Sequence, residues 1–183
     1  SRYPQADWAS YAAYVTQEYK ASEILTLQAG LRYNQFTLDA SFDTSFYPFP
    51  FETANLNEGA LTGSFGAVLM PSSSWVINAN LATGFRSPNV DDVGKVFDSE
   101  PGSVVVPNPD LEAETAYNAD FGIAKVFSDV LKVELTGFYT YLNNAMVRRD
   151  FQLNGMDEIM YDGELSRVQA IQNAANATVY GFQ

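Results

Sequence analysis

The chain has 183 residues and a formal net charge of −12, which argues against nucleic acid as a partner, because phosphate binding needs clustered Lys and Arg. It contains no Cys, so a disulfide framework, a thiolate nucleophile and a thiolate metal site are excluded. It contains no His either, which removes the commonest general base and the commonest transition-metal ligand. Aromatic residues make up 14%, a rich supply of ring surface. No run approaches the roughly 18 apolar residues of a membrane helix. Ser1-Arg2-Tyr3-Pro4 lacks the charged and apolar regions of a secretory leader. Both features fit a soluble protein, and both fit a piece from the middle of a β-barrel, whose strands are apolar only at alternate positions.

Period two dominates the chain. Segment 9–20 follows it loosely. In 24–38, Leu25, Leu27, Ala29, Leu31 and Tyr33 share one face, with Thr26, Gln28, Gly30, Arg32 and Asn34 on the other. In 60–70, Leu61, Gly63, Phe65, Ala67 and Leu69 oppose Thr62, Ser64, Gly66 and Val68. In 75–85, Trp75, Ile77, Ala79, Leu81 and Phe85 oppose Asn78, Asn80 and Gly84. Segment 113–126 follows it less cleanly too, with Tyr117, Ala119, Phe121 and Ile123 opposing Asn118, Asp120 and Gly122. In 130–142, Leu131, Val133, Leu135, Tyr139 and Tyr141 oppose Lys132, Glu134, Thr136 and Thr140. A last strand opens at 175–183.

Several of these strands run to about 11–15 residues, where a soluble strand has about 5–6 and a tilted membrane strand needs about 9–11. The connections at 21–23, 71–74 and 128–129 are short. Those at 39–58, 87–112 and 144–174 are long, and they alternate with the short ones. Short turns at one end and long loops at the other are the pattern of an outer-membrane barrel, with the short turns periplasmic. Trp75 and Phe127 flank short turns; Tyr33, Phe36, Phe85, Tyr117, Tyr139 and Tyr141 lie near the long-loop ends, as two aromatic girdles require. The expected fold is all-β: about seven strands of a large antiparallel transmembrane barrel. Seven strands cannot close, so further strands are expected elsewhere.

Two boxes stand on strand ends across one long loop: Gly84-Phe85-Arg86-Ser87-Pro88-Asn89, and Pro107-Asn108-Pro109-Asp110-Leu111-Glu112-Ala113-Glu114-Thr115. Pro88 removes a ladder donor and biases Ser87 toward extended geometry, so the first strand stops there. As an ordered pair the boxes resemble those of TonB-dependent outer-membrane receptors. Phe138-Tyr139-Thr140-Tyr141-Leu142-Asn143-Asn144 and Val179-Tyr180-Gly181-Phe182 are similar to later strands of that family. The resemblance covers 60–183 by motif and 1–59 by pattern. It implies that 1–183 is part of the later barrel of a receptor of probable 22 strands, with a plug domain outside this stretch. It also implies energy-coupled import of a scarce nutrient, most commonly a ferric siderophore or another metal chelate, with no catalytic residue and no cofactor. The implied partners are outer-membrane lipid and lipopolysaccharide, the TonB complex through a preceding N-terminal region, the substrate, and a surface lipoprotein over the loops. A passive porin or structural barrel and a soluble all-β binding module are the alternatives.

The candidate substrate contacts lie in the long loops: Arg86, Asp91, Asp92, Asn108, Arg148, Arg149 and Tyr161. Arg86 is read either as a bidentate contact to an anionic substrate or lipopolysaccharide phosphate, or as a salt bridge to Asp91 or Asp92. Arg148-Arg149, with Met160 and Tyr161 nearby, offers cationic and aromatic groups to an anion or siderophore, or pairs with acidic neighbours. Asp91, Asp92, Asp98 and Glu100 supply the hard oxygens that calcium takes, but their spacing matches no EF-hand loop. Heme receptors of this family carry paired boxes with a ligating His between them; this chain has no His, Tyr or Met between Arg86 and Asn108.

Overall fold

The computed structural model describes residues 4–45, 47–128 and 130–183. Seven long strands form one open antiparallel sheet in chain order: β1 (Gln5–Lys20), β2 (Leu25–Ser41), β3 (Thr53–Ser72), β4 (Trp75–Arg86), β7 (Glu114–Phe127), β8 (Leu131–Asp150) and β10 (Glu164–Phe182). The third long connection holds β9 (Glu158–Tyr161). The second holds a short helix, α1 (Val90–Gly94), and the hairpin β5 (Phe97–Glu100) and β6 (Ser103–Val105).

The sheet has one greasy face, and the register explains it. Leu31 stands opposite Val15 and Gly63, Phe65 opposite Ala29 and Leu81, and Ile123 opposite Ile77 and Leu135. Many of these side chains are open: Leu31, Phe65, Leu81, Phe121 and Leu135 are all more than half exposed. The opposite face carries Thr16, Gln28, Ser64, Asn80, Asp120 and Thr140. There Asn80 and Asn118 each donate to Asp120 Oδ2 at 3.1 Å, and Thr140 donates to Asn118 Oδ1 at 2.6 Å.

The short turns are held locally. The Ser22 hydroxyl accepts from the amides of Ile24 and Leu25, an arrangement that satisfies the donors a two-stranded turn leaves free. Beside the lower ends, Lys125 lies 4.4 Å over Trp75 and 4.8 Å over Phe127 on the apolar face. An ammonium on apolar stems beside two rings suits a boundary between grease and water.

At the far end the polarity of the two faces reverses. Up to Tyr33 the apolar side chains of β2 lie on the greasy face. From Phe36 onward they lie on the other: Phe36 and Leu38 are fully buried, and Ala40 nearly so. On β3 the same change leaves Ala54 and Leu56 buried and Asn55 and Asn57 on the outside. The β2–β3 ladder runs without a register shift from Leu25–Leu69 to Ser41–Thr53. The change therefore lies in the side-chain pattern, not in a bulge. The boundary is marked by Tyr33, whose hydroxyl donates to Gln35 Oε1 at 2.6 Å across the space that Gly59 leaves open.

Two expectations are corrected here. First, the long connections are much shorter than 39–58 and 144–174, because the strands continue beyond the apolar belt. The first is reduced to 42–52, closed by the bond from Phe42 N to Glu52 O at 2.8 Å. In the third, two tight turns set up strand pairing. Asn154-Gly155 has φ of 54° and 75°, and Asp162-Gly163 has 51° and 88°, the left-handed values that right-twisted hairpins need. Leu153 and Met156 exchange both backbone bonds across the first turn, and Tyr161 pairs with Glu164 across the second. Second, Phe36 and Phe85 are not girdle residues. Their rings stack 6.4 Å apart inside the upper core.

That upper core has two clusters. One joins Phe36, Leu38 and Leu56 of the wall to Phe42 of the first connection and to Val93 and Leu111 of the second. The other gathers Val96, Val104, Leu153, Ile159, Tyr161 and Val168. Phe49 and Phe51 of the first connection pack against both.

Candidate functional site

The second connection, 87–113, packs Val93 and Leu111 against the polar face above the boundary, while its strand β6 pairs in parallel with the edge of β10. Its first box starts it inward. Pro88 ends the ladder and is fully buried. Asn89 then caps α1: its side chain accepts from Asp92 N at 2.9 Å, and the Asp92 carboxylate accepts from Asn89 N at 3.1 Å. These reciprocal bonds satisfy donors that a helix start leaves orphaned. The same carboxylate takes Arg86 Nη2 on both oxygens, at 2.9 and 2.7 Å, and Glu114 lies 3.9 Å from Arg86 Nη1. Arg86 is thus neutralised and pins the loop to the strand ends. Its side chain remains 46% exposed.

The second box stitches the loop across the sheet. Asn108 is buried; it donates to Ile171 O on β10 at 2.8 Å, accepts from Asp110 N at 3.2 Å, and its own amide bonds Val93 O. Leu111 drops into the wall core. Glu112 N bonds Asn173 Oδ1 at 2.8 Å, and Asn173 returns a bond to Glu112 O at 2.9 Å. Ala113 N meets Glu58 of β3, and Glu114 accepts from Met146 N of β8. One nine-residue box therefore ties β3, β8, β10 and α1 together.

The seven candidate residues fall into four placements. Arg86, Asp92 and Asn108 are brought together as the fastenings of the folded-in loop. Asp91 sits exposed in the first turn of α1. Arg148 and Arg149 are exposed on the upper part of β8, and no salt bridge to either is formed among the described residues. Tyr161 is 8% exposed, its ring packed in the second core cluster 6.4 Å from Tyr47. Burial pushes the Tyr47 phenol above its ordinary range, so this aromatic contact stays uncharged. Among the described residues no group of three or more acidic side chains is placed to hold a metal ion.

Sequence reasoning did not single out Asn173, which bonds Glu112 and Asn144 O, or the ring cluster of Phe42, Tyr47, Phe49 and Phe51. The alternating Tyr-Pro-Phe-Pro-Phe run was the available signal for the second. Asn-Gly and Asp-Gly were the signals for the hairpins that place Tyr161.

The whole of 1–183 matches the family model "TonB dependent receptor-like, beta-barrel". Comparison with curated protein sequences found no match. Among solved structures the chain is similar to a double mutant of the Serratia marcescens hemophore receptor HasR in complex with its hemophore HasA and heme. The TM-score is 0.75 at 14% identity, covering 96% of this chain and 31% of that one. It is similar to the copper transporter OprC, with a TM-score of 0.71 at 16% identity, covering 97% and 26%. It is also similar to the ferric-catecholate import receptor Fiu from K12 E. coli, at 0.63 and 13%, covering 97% and 25%. The chain thus spans less than a third of the length of these three relatives. The full-length family match, the apolar belt and the loop stitched over the polar face agree: this chain belongs to the β-barrel domain of the TonB-dependent receptors.

Proposed function

We propose that the receptor containing this chain imports a scarce metal chelate, most simply a ferric siderophore, across the Gram-negative outer membrane. TonB would pull on a plug domain supplied by the rest of the receptor. The observation that carries this is the wall itself. An apolar belt for lipid lies below the Tyr33 boundary, and above it stands a built extracellular vestibule whose loops share cores with the wall. A simple pore needs no such architecture. The relatives' ligands support the substrate class: heme with a hemophore, copper and a ferric catecholate.

In this proposal Arg148 and Arg149 are the first contacts, being exposed cations that no carboxylate pairs with among the described residues. Asp91 borders the same mouth, while Arg86, Asp92, Asn108 and Tyr161 hold the rim that presents them. The outer wall above the belt meets lipopolysaccharide, and a surface lipoprotein could rest on the loops. The chemistry is binding and passage, with no bond made or broken in the substrate. The test is uptake of radioactive iron chelates by cells carrying the complete receptor, with and without TonB. Dependence on TonB is expected. Uptake that proceeds equally without it would replace this proposal with a passive porin.

A further inference from the structure

We propose that Arg32, with Tyr14 beside it, forms an anion-binding subsite on the inner wall just below the rim, taking the carboxylate or catecholate oxygens of a chelate. It rests on the import proposal above and gives that path a second fixed cation. Arg32 lies on the polar face of β2, between its cross-strand partners Tyr14 on β1 and Thr62 on β3. It is one residue below Tyr33, at the level where the wall turns from membrane belt to vestibule.

Three observations make it a site and not a stray surface charge. The guanidinium is aimed: Nη2 donates to Asn34 Oδ1 at 3.2 Å, and Asn34 is itself buried and held by a reciprocal bond with Ser10. The acceptor is neutral, and among the described residues no carboxylate forms a salt bridge with Arg32. Three other cations are matched, Arg86 by Asp92, Arg167 by Asp150 and Lys132 by Glu134, whereas Arg32 shares its lack of a carboxylate with Arg148 and Arg149 at the mouth. Finally, a shallow, open hollow of about 250 Å³ has Arg32 in its lining, together with the polar Tyr14, Thr16, Thr62 and Ser64 and the apolar Val15 and Leu31. Gly30 keeps it open, since a Cβ there would stand 3.0 Å from the Ser64 hydroxyl.

The chemistry follows. A guanidinium carries five N–H donors in a fixed fork, and Asn34 occupies one edge of it. The hydroxyls of Thr16, Thr62 and Ser64 and the Tyr14 phenol line the hollow with it; they suit anionic oxygen and carry no competing negative charge. In a chain of net charge −12, an anionic chelate moves against the overall field. Unmatched arginines at Arg148, Arg149 and then Arg32 would give it successive holding points.

The experiment uses the complete receptor in detergent, with ferric tris-2,3-dihydroxybenzoate and ferric citrate as anionic probes and ferric tris-acetohydroxamate as a neutral one. Binding is followed by tyrosine and tryptophan fluorescence. The wild type should bind at least one anionic probe. Arg32→Gln should weaken that binding about ten- to hundredfold, the scale of a lost charge-assisted hydrogen bond, with Arg32→Lys between the two. The neutral probe should be unaffected. The subsite is overturned if neither anionic probe binds the wild type, if Arg32→Gln binds both as well as wild type, or if the neutral probe weakens equally. It is also overturned if affinity is unchanged while the melting temperature falls, for Arg32 would then be pairing with a carboxylate of the plug. TonB-dependent uptake by the wild type is measured alongside. If it persists while Arg32→Gln is silent, the subsite fails and the import proposal stands.

Discussion

The lower and upper parts of β2 belong to one continuous strand and solve opposite problems. From Leu25 to Tyr33 the apolar side chains face outward, and many remain open in the isolated sheet. From Phe36 to Ala40 they face inward and are almost wholly buried. The ladder to β3 is unbroken through the change. What differs is the medium behind each face. Below the boundary the outside is hydrocarbon and the inside is polar; above it the outside is water and the inside is a protein core. A strand has period two in both places, and only the parity of its apolar positions reports which medium it meets.

The largest test of that contrast is Phe36→Ala. The ring is fully buried, stacks on Phe85 and packs against the core beneath α1. Its removal should cost about 3–5 kcal/mol, as for a large core side chain. Hydrogen exchange on the complete receptor should show 87–113 losing protection while β4 and β7 keep theirs. Loss of protection in both would mean that the two halves unfold as one unit. Next is Phe121→Arg, at mid-belt on the outer face, where the residue is 57% exposed in the isolated sheet. An arginine there should cost about 2–4 kcal/mol in denaturant titrations of vesicle-embedded receptor. A neutral result would deny that this face meets hydrocarbon.

A smaller effect is expected where the folded-in loop is fastened. Asn108→Ala removes the bond to Ile171 O and the one accepted from Asp110 N. Leaving such buried groups unpaired costs about 1–3 kcal/mol. Limited proteolysis should then cut within 95–106 before any cut in the crossing strands.

The crossing strands were legible because lipid and lumen impose alternation over long runs, as over the nine residues from Leu25 to Tyr33. The box residues were legible as a pair because Pro88 and Pro107 punctuate the chain. Their roles were not, since Arg86 paired with Asp92 and Arg86 meeting substrate need the same residue types. The upper wall was illegible for a physical reason. The shift from Tyr33 to Phe36 breaks period two, and a break looks like the end of a strand when one arrangement of solvents is assumed. The strand in fact continues with its apolar set exchanged. Arg32 was visible only as one polar member of an alternating run. Its lack of a carboxylate partner is a fact of three dimensions.

The smallest predicted effect has the opposite sign to Phe121→Arg and so sharpens the comparison most. Asp39 lies on the outer face of β2 above the boundary, directly opposite Asp7 of β1 and beside Asn55 of β3. Two carboxylates in one cross-strand pair repel. Asp39→Arg would replace that repulsion with an attraction, tempered by exposure to water and salt. The same arginine that costs about 2–4 kcal/mol at mid-belt should here stabilise by a few tenths of a kcal/mol, within the roughly 0.2–1 kcal/mol of a cross-strand pair. The gain should shrink as salt is raised, which denaturant titrations at low and high ionic strength would resolve. A cost as large as at Phe121 would move the hydrocarbon edge at least six residues up β2 from Tyr33, and the core around Phe36 would then lie at membrane depth.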